Sequence, residues 1–478
     1  MTQPRPNLIG GTWIPGAAVP IENRNPSDPD DLVGLYAAAS PTQVVEAVGA
    51  ARAGRRALAA MPVQARVDAL TEAGRRIEAE AARIGEILAR EEGKPIAEAR
   101  AEVVRAGQIF RHFAGEALRG GGVTLPSLVP GATAATARLP LGVVTIITPW
   151  NFPAAIPAWK IAPALAWGNA VIFKPAELAC ATAWELVAIL DVCGLPRGAV
   201  NLVMGRGREI GATLVETPGI DGISFTGSEA VGGRIAQASA QMLRRVQLEL
   251  GGKNPLVIAD DADLELAVEV ASIGAFAQTG QRCTAWSRIV VMDALHDRFV
   301  EAFARAADAM AVGDARDPAT RMGPAVDAAQ LQRDFDYIAL GEAEGARRMT
   351  ADPALPGPGH FLRPTVLTGG TPAMRLAREE VFGPVALVLR AATFEEAIGI
   401  ANDTPFGLTA GIVTNSAARA EAFRRESGAG VVMTNLPPVV DYHLPFGGRG
   451  RSGYGPKEMG EAAREFFTVT QTNYARWV

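Results

Sequence analysis

Apolar residues recur at helical spacing from Val44 to Ala60. The segment opens on Ser40-Pro41-Thr42-Gln43, an N-cap hydroxyl, a proline at the first helical position and a glutamine three residues past the cap, which predicts a helix entered through a capping box. A second helix is expected from about Val67 until Gly93 and Pro95 stop it. The Ala97 to Arg119 segment spaces Val103, Phe110, Phe113 and Ala117 along one helical face. Helices are therefore expected to dominate the first quarter of the chain. From Gly142 the rhythm changes to short β-branched runs, VVTIIT, AVIF, AVNLV and GISF, each closed by Gly, Pro, Ser or Thr and separated by helical stretches. A second run of this kind starts at PLVIA (Pro255) and continues through RIVVM (Arg288) and VALVLR (Val385). The expected class is α/β, with two open parallel-sheet domains of Rossmann-like alternation. Residues 120–139 and the C-terminal FFTVTQTNYARW are extended without a neighbouring helix, and exposed strands of that sort invite pairing with another subunit.

At 478 residues the chain exceeds what one core normally supports, so separate cores with a cleft between them are expected. A hydrophobic content of 48% with 20% charged residues excludes disorder, and a net charge of −5 offers no basic field for nucleic acid or an anionic membrane. A small-molecule partner is the better expectation. The start, MTQPRPNLIGGTW, does not read as a signal peptide, and the apolar stretch from Leu141 to Phe173 is broken by Pro149, Asn151, Pro153 and Lys160, so a cytoplasmic address without a membrane span is expected. Cys180, Cys193 and Cys283 show no Cys-x-x-Cys spacing, and His112, His296, His360 and His443 are scattered. Reduced thiols and no metal site are expected, and catalysis must use groups other than a His base.

Several short stretches could carry chemistry. Gly205, Gly207 and Gly211 follow the AVNLV strand and let backbone approach a dinucleotide, although a glycine turn at any strand-to-helix junction reads the same. Phe225-Thr226-Gly227-Ser228 follows GISF, with Ser228 as either a ligand contact or a plain helix cap. Lys174-Pro175-Ala176-Glu177 ends AVIF at the carboxyl edge of a parallel sheet, where open α/β folds bind ligands; the alternative is a solvated strand end. Glu177 can accept from both ribose hydroxyls and repels a 2′-phosphate, which favours NAD over NADP, with Lys174 partly offsetting that preference. Cys283 lies in the polar turn Gly280-Gln281-Arg282-Cys283-Thr284, where Arg282 or oriented amides are expected to lower its pKa. Glu249, flanked by Leu248 and Leu250, is either a salt-bridged strand end or a carboxyl with a raised pKa. Asn151 in Trp150-Asn151-Phe152-Pro153 offers a neutral amide donor or simply a turn residue.

Taken in order along nearly the whole chain, TPWNFP (Thr148), KPAE (Lys174), GRGREIG (Gly205), FTGS (Phe225), LELGGK (Leu248), GQRC (Gly280), EEVFGPV (Glu379) and PFGG (Pro445) resemble the aldehyde dehydrogenase superfamily. The resemblance implies a dinucleotide-binding domain over 1–119 and 140–248, a cysteine-bearing catalytic domain over 249–445, and an oligomerisation extension and arm over 120–139 and 446–478 of a homodimer or homotetramer. It implies Cys283 as nucleophile, Glu249 as general base, Asn151 as oxyanion donor, and Lys160 near the proton path. It places Thr148, Trp150, Lys174, Pro175, Glu177, Gly207, Gly211, Phe225, Gly227, Ser228 and Leu250 at the NAD(P) dinucleotide, with Glu380 and Phe382 at the nicotinamide ribose. Relatives that pass the acyl group to coenzyme A generally lack this Glu, so hydrolysis of a thioester is implied.

Phe152, Trp159, Arg282, Thr284 and Phe446 fall where the resemblance lines the substrate pocket. Arg105 falls on the tunnel-lining helix; pointing inward it would pair with a distal carboxylate, and pointing outward it is an ordinary helical arginine. FRHFAGEALR, FKPAEL, GQRCTA and VDYHLPFGG look most like the α-ketoglutarate semialdehyde dehydrogenase branch, which implies a dicarboxylic semialdehyde such as 2,5-dioxopentanoate. Two departures are His112, where an aromatic is expected beside Phe113, and Pro437-Pro438 near the tunnel mouth. The alternatives are a broad-specificity aldehyde dehydrogenase with Arg105 in solvent, or a non-catalytic protein on this fold, which would lack the Cys, Glu or Asn present here.

Overall fold

The computed structural model describes residues 3–477. The capping box forms: the Gln43 N–H donates to Ser40 Oγ at 3.3 Å, Gln43 Oε1 accepts from the Ser40 N–H at 3.1 Å, and the helix spans Pro41–Ala60. The expected second helix is two, Val63–Ala79 and Ala81–Glu92, followed by Ile96–Glu116. The break at Glu80 carries no Gly or Pro, and both helices bury apolar faces, so the periodicity runs on across it. The helical first quarter needs correcting as well. Asn7–Ile9 and Thr12–Ile14 form a hairpin, and Ala18–Asn25 pairs with Asp28–Ala38 in a second one. Pro15, Pro20, Pro26 and Pro29 cut this region into runs too short to show a clear period of two.

The first sheet has eight strands. Its five central ones are parallel, in the spatial order Val200–Leu202, Ala170–Lys174, Val143–Ile147, Gly222–Thr226, Arg245–Glu249. Chain order reverses beside Val143–Ile147, which opens a crevice where Thr148 and Gly227 leave the sheet, the place where such folds bind ligands. The edges are antiparallel: Leu8 pairs with Leu202, and Tyr454 with Leu248. Leu250 to Lys253 then crosses directly from the edge of this sheet to Asn254–Ile258 in the middle of the second.

The second sheet is parallel from Thr365–Thr368 through Val385–Ala391, Trp286–Met292, Asn254–Ile258 and Thr409–Val413 to Val431–Thr434. Leu256, Ile289, Val388 and Val413 pack on one face, while Val257, Val290, Leu387 and Ile412 pack on the other. This alternation across a sheet covered on both sides is why the strands read as unbroken apolar runs. Thr468–Ala475 pairs antiparallel with Thr133–Pro140 in a separate three-stranded sheet. The arm from 446 is not a single extension, because Gly453–Tyr454 joins the first sheet and Phe466 and Phe467 pack into that sheet's core.

Candidate active site

Cys283 lies between the Leu264–Phe276 helix and the Trp286–Met292 strand. The approach to it is left-handed: Gln278, Thr279 and Gly280 have φ of 54°, 60° and 65°. For β-branched Thr279 such backbone costs on the order of 1–3 kcal/mol and persists only where neighbours impose it. Those neighbours are present. Thr279 Oγ1 donates to the Gly323 carbonyl at 3.0 Å, Gln281 Oε1 accepts from the Val326 N–H at 2.8 Å, and Asn254 Nδ2 donates to the Cys283 and Ala285 carbonyls at 2.7 and 2.9 Å. Gly280 has no room for a Cβ, since the Gly383 carbonyl lies against it.

Asn151 sits in the turn after the Val143–Ile147 strand and is 2% exposed. Its Nδ2 donates to the Gln281 carbonyl at 3.0 Å, which joins the turn at the first sheet to the loop that carries the cysteine. Cys283 itself is half-buried against the first domain's core. Glu249 ends the Arg245–Glu249 strand, one strand beyond the neighbour of Val143–Ile147, where its carboxyl packs against Gly447 and accepts from the Gly448 N–H, leaving Oε2 with no partner. Burial, then the Glu458 carboxylate, hold Glu249 well above the ordinary carboxylate range against the opposing pull of Lys160.

Lys160 is fully buried and hydrogen-bonds both Glu458 and Ser224 Oγ, the latter at 2.9 Å. Trp159 Nε1 donates to the other Glu458 oxygen at 2.7 Å, and Ser224 Oγ donates to Gln247 Oε1 at 2.8 Å. The Trp159 ring centroid is 6.1 Å from that of Phe446. This line of polar groups runs from the interior of the first domain to the back of Glu249.

The expected lowering of the cysteine pKa is corrected. Burial pushes the Cys283 thiol up to about 12, and the Glu249 and Glu380 carboxylates add more than Arg282 relieves. Arg282 is turned away, donating to the Ile273 and Gly274 carbonyls at 2.9 and 3.3 Å at the C-terminal end of the preceding helix. It holds the loop and presents no guanidinium to the pocket. Thr284 beside it is buried, with its carbonyl accepting from Thr409 Oγ1 at 3.3 Å.

Along the crevice, Thr148 is buried with an unpartnered Oγ1, and the Ser228 side chain makes no capping bond although it occupies the N-cap position of Glu229–Gln241. Cβ atoms added at Gly207 and Gly211 would meet open space, so both glycines leave room beside the sheet. Gly227 has none, because the Phe225 ring covers it, and Leu250 packs likewise on Gly232. Lys174 is buried, donates to the Pro175 carbonyl at 2.7 Å, and lies 3.8 Å from the exposed Glu177 carboxylate. Glu380 Oε1 accepts from the Gly252 N–H at 2.9 Å, and the Phe382 ring meets Trp150 edge-on with centroids 5.5 Å apart.

The model of the aldehyde dehydrogenase family matches residues 13–473. The chain belongs to the aldehyde dehydrogenase family. It is 39% identical over 478 residues to the alpha-ketoglutaric semialdehyde dehydrogenase of Bacillus subtilis, with 98% of each chain covered. It is 39% identical over 473 residues to the 2,5-dioxopentanoate dehydrogenase of Saccharolobus solfataricus, covering 98% of this chain and 99% of that one. The crystal structure of betaine aldehyde dehydrogenase from Staphylococcus aureus in complex with NAD+ superimposes with a TM-score of 0.96 at 30% identity, covering 99% of this chain and 95% of that one.

On the helix expected to line the substrate tunnel, Arg105 takes the outward of its two alternatives. Arg105 is exposed, not buried, and donates to the Val440 carbonyl at 3.0 Å. Seven residues on, His112 lies between the Phe113 and Tyr442 rings, at 5.0 and 5.2 Å, so one helical face meets the 436–443 loop at two points. Phe152 is half-buried and stacks under the Lys94 ammonium at 4.1 Å.

Sequence reasoning missed Glu458, Lys94, Glu102 and Asn254. Glu102 had a signal, since it falls on the same helical face as Ala99, Val103, Ala106 and Phe110, all buried. A charged residue on an apolar stripe calls for a buried partner. Glu458 and Lys94 sit in Gly- and Pro-rich stretches where a charge ordinarily faces water, and only the tertiary fold reveals their partners.

Proposed function

We propose that this aldehyde dehydrogenase oxidises a dicarboxylic semialdehyde, such as 2,5-dioxopentanoate, to the diacid through a thioester on Cys283. The observation that carries the chemistry is the approach of Asn151 to the Cys283 loop with Glu249 and Glu458 close enough to raise the thiol. The names of the B. subtilis and S. solfataricus relatives support the substrate class.

The crevice residues fit a dinucleotide. Two glycines leave room, the Thr148 hydroxyl is unpartnered, Glu177 stands exposed beside Lys174, and Glu380 and Phe382 reach the Cys283 side. Glu177 favours NAD over NADP by repulsion of a 2′-phosphate. When bound, the nicotinamide supplies the hydride acceptor. The chain's own residues do the rest. Cys283, its thiol proton passed to Glu249 and on along Glu458 and Lys160, adds to the carbonyl carbon, while Asn151 Nδ2 and the Cys283 N–H hold the oxyanion. Glu249 takes a proton from the water that hydrolyses the thioester and passes it along Glu458 and Lys160. In this reading the enzyme is a homo-oligomer paired through the Thr468–Ala475 sheet and works in a reducing compartment, the cytoplasm, where its free thiols stay reduced.

The test is a kcat/KM panel of 2,5-dioxopentanoate and succinate semialdehyde against uncharged aldehydes of equal length, with Arg105→Ala alongside. Semialdehydes are expected to lead by about 10-fold or more, in the wild type and in the variant alike. Better rates on uncharged aldehydes would leave the broad-specificity reading standing.

A further inference from the structure

Buried charge is costly unless it is fully partnered, and beside the Asn151 turn the buried Lys94 faces two buried carboxylates, Glu102 and, at 3.9 Å, Glu92. Lys94 follows the Gly93 helix stop and is fully buried, and Glu102 lies one turn into the next helix on its apolar face. The two hydrogen-bond each other, and the remaining bonds of both go to a single turn. Lys94 Nζ donates to the Asn151 main-chain carbonyl at 2.7 Å. Glu102 Oε1 accepts from the Ala154 and Ala155 N–H groups at 2.8 and 3.1 Å. The Phe152 ring lies under the same ammonium at 4.1 Å. Burial works against the charge on Lys94, but Glu102 and Glu92 outweigh it and hold the ammonium above its ordinary pKa.

We infer that the Lys94–Glu102 pair is a positioning device for the oxyanion donor: it fixes the backbone of residues 151–155, and through it the direction of the Asn151 amide. This rests on the reading of Asn151 given above. The turn needs such a device because Asn151 reaches the Cys283 loop through a single side-chain bond, to the Gln281 carbonyl. Within the turn the Phe152 carbonyl accepts from the Ile156 N–H at 3.1 Å, which leaves residue 151 itself to the pair. The pair grips the turn at the Asn151 carbonyl and at the first amides of the Ala155–Ala166 helix, which carries Lys160. Displacement of a catalytic group by about 1 Å costs up to about 100-fold in rate. The pair's contribution should therefore appear in the chemical step and not in cofactor binding.

Removing one partner strands a buried charge and invites misfolding, so the decisive variant is Lys94→Met with Glu102→Gln. Glu92 lies 3.9 Å from Lys94 and is changed as well, Glu92→Gln, so that the variant leaves no lone charge and keeps a carbonyl oxygen facing Ala154 and Ala155. It is combined with Asn151→Ala in a cycle, and the single-turnover burst of reduced nicotinamide is measured with saturating NAD and semialdehyde. Fold is followed by NAD binding and by alkylation of Cys283 with iodoacetamide. The expected result is a burst slowed by roughly 10- to 100-fold in the pair variant, with the Kd for NAD and the alkylation unchanged. Placed on Asn151→Ala, the pair change is expected to cost little more than Asn151→Ala alone. Fully additive losses, or an unaltered burst in the pair variant, would overturn the inference while leaving the catalytic reading intact. A wild-type enzyme with no burst, or one with a burst that survives Cys283→Ala, would overturn both.

Discussion

Burial raises both the Cys283 thiol and the Glu249 carboxyl, with Glu249 adding to the rise at the thiol and Glu458 adding to the rise at Glu249. The thiol should therefore be a poor nucleophile toward a simple alkylating agent. Iodoacetamide labelling of Cys283 is expected to rise about tenfold per pH unit from 7 to 10, with no plateau near 8.5. A plateau at 8.5 or below would mean that Arg282 and the backbone amides dominate after all. Asn151→Ala is expected to slow the burst by about 10²- to 10³-fold, the usual loss on removing one oxyanion donor. Glu249→Gln should keep the burst and lose steady-state turnover by about 10²-fold or more, as expected when a general base is removed. The candidate site residues had a chemical signature in the sequence: Cys283 in a polar turn, Glu249 between leucines, Asn151 two residues ahead of a proline. Their electrostatic state was not legible there, because it depends on Glu380 and Glu458, which lie far away in sequence.

At the level of elements, the Ala328–Ala343 helix holds the loop that carries Glu380 and Phe382. Gln330 Nε2 donates to the Val381 carbonyl at 3.1 Å, Arg333 Nη2 to the Glu380 carbonyl at 2.6 Å, and Tyr337 Oη to Glu379 at 2.5 Å. Asp334, on the same face, is buried against Gly383, and burial pushes its carboxyl up to about 8. The folded form therefore holds a proton that the unfolded chain releases near pH 4, so stability falls as pH rises from about 4 to 8 and then levels off. Asp334→Asn is expected to melt higher than wild type at pH 9 by an amount worth a few kcal/mol, with the difference vanishing near pH 4. Equal melting curves at pH 9 would show that the carboxyl finds a partner in solution. The parallel strands were readable because a doubly covered sheet demands continuous apolar runs. The N-terminal hairpins were not, since edge strands cut by prolines lack both periods, and the Glu80 break carries no stop residue.

For the molecule as a whole, the first sheet supplies Asn151, Glu249 and the crevice, and the second supplies Cys283 and Glu380. Leu250 to Lys253 is the covalent bridge between the two. A separate face is left over, where Leu125 and Tyr474 stand exposed on the three-stranded sheet and Val123 and Leu128 stand exposed beside it. Four large apolar residues on and beside one small sheet are expected to be covered by another copy of the chain. Leu125→Asp with Tyr474→Asp should shift the sedimenting species to a smaller oligomer, and an unchanged profile would place the interface elsewhere. The two runs of parallel strands were visible in the sequence as two series of apolar stretches. The return of Gly453–Tyr454 to the first sheet was not, because a two-residue edge strand leaves no pattern.

The account depends on one covalent event at the meeting point of the two sheets. Glu249→Gln incubated with NAD and 2,5-dioxopentanoate, quenched in acid and digested, should give a peptide containing Cys283 that is heavier by the acyl group, with one equivalent of reduced nicotinamide formed per chain. Reduced nicotinamide formed at the wild-type steady-state rate, with Cys283 unmodified throughout, would contradict it.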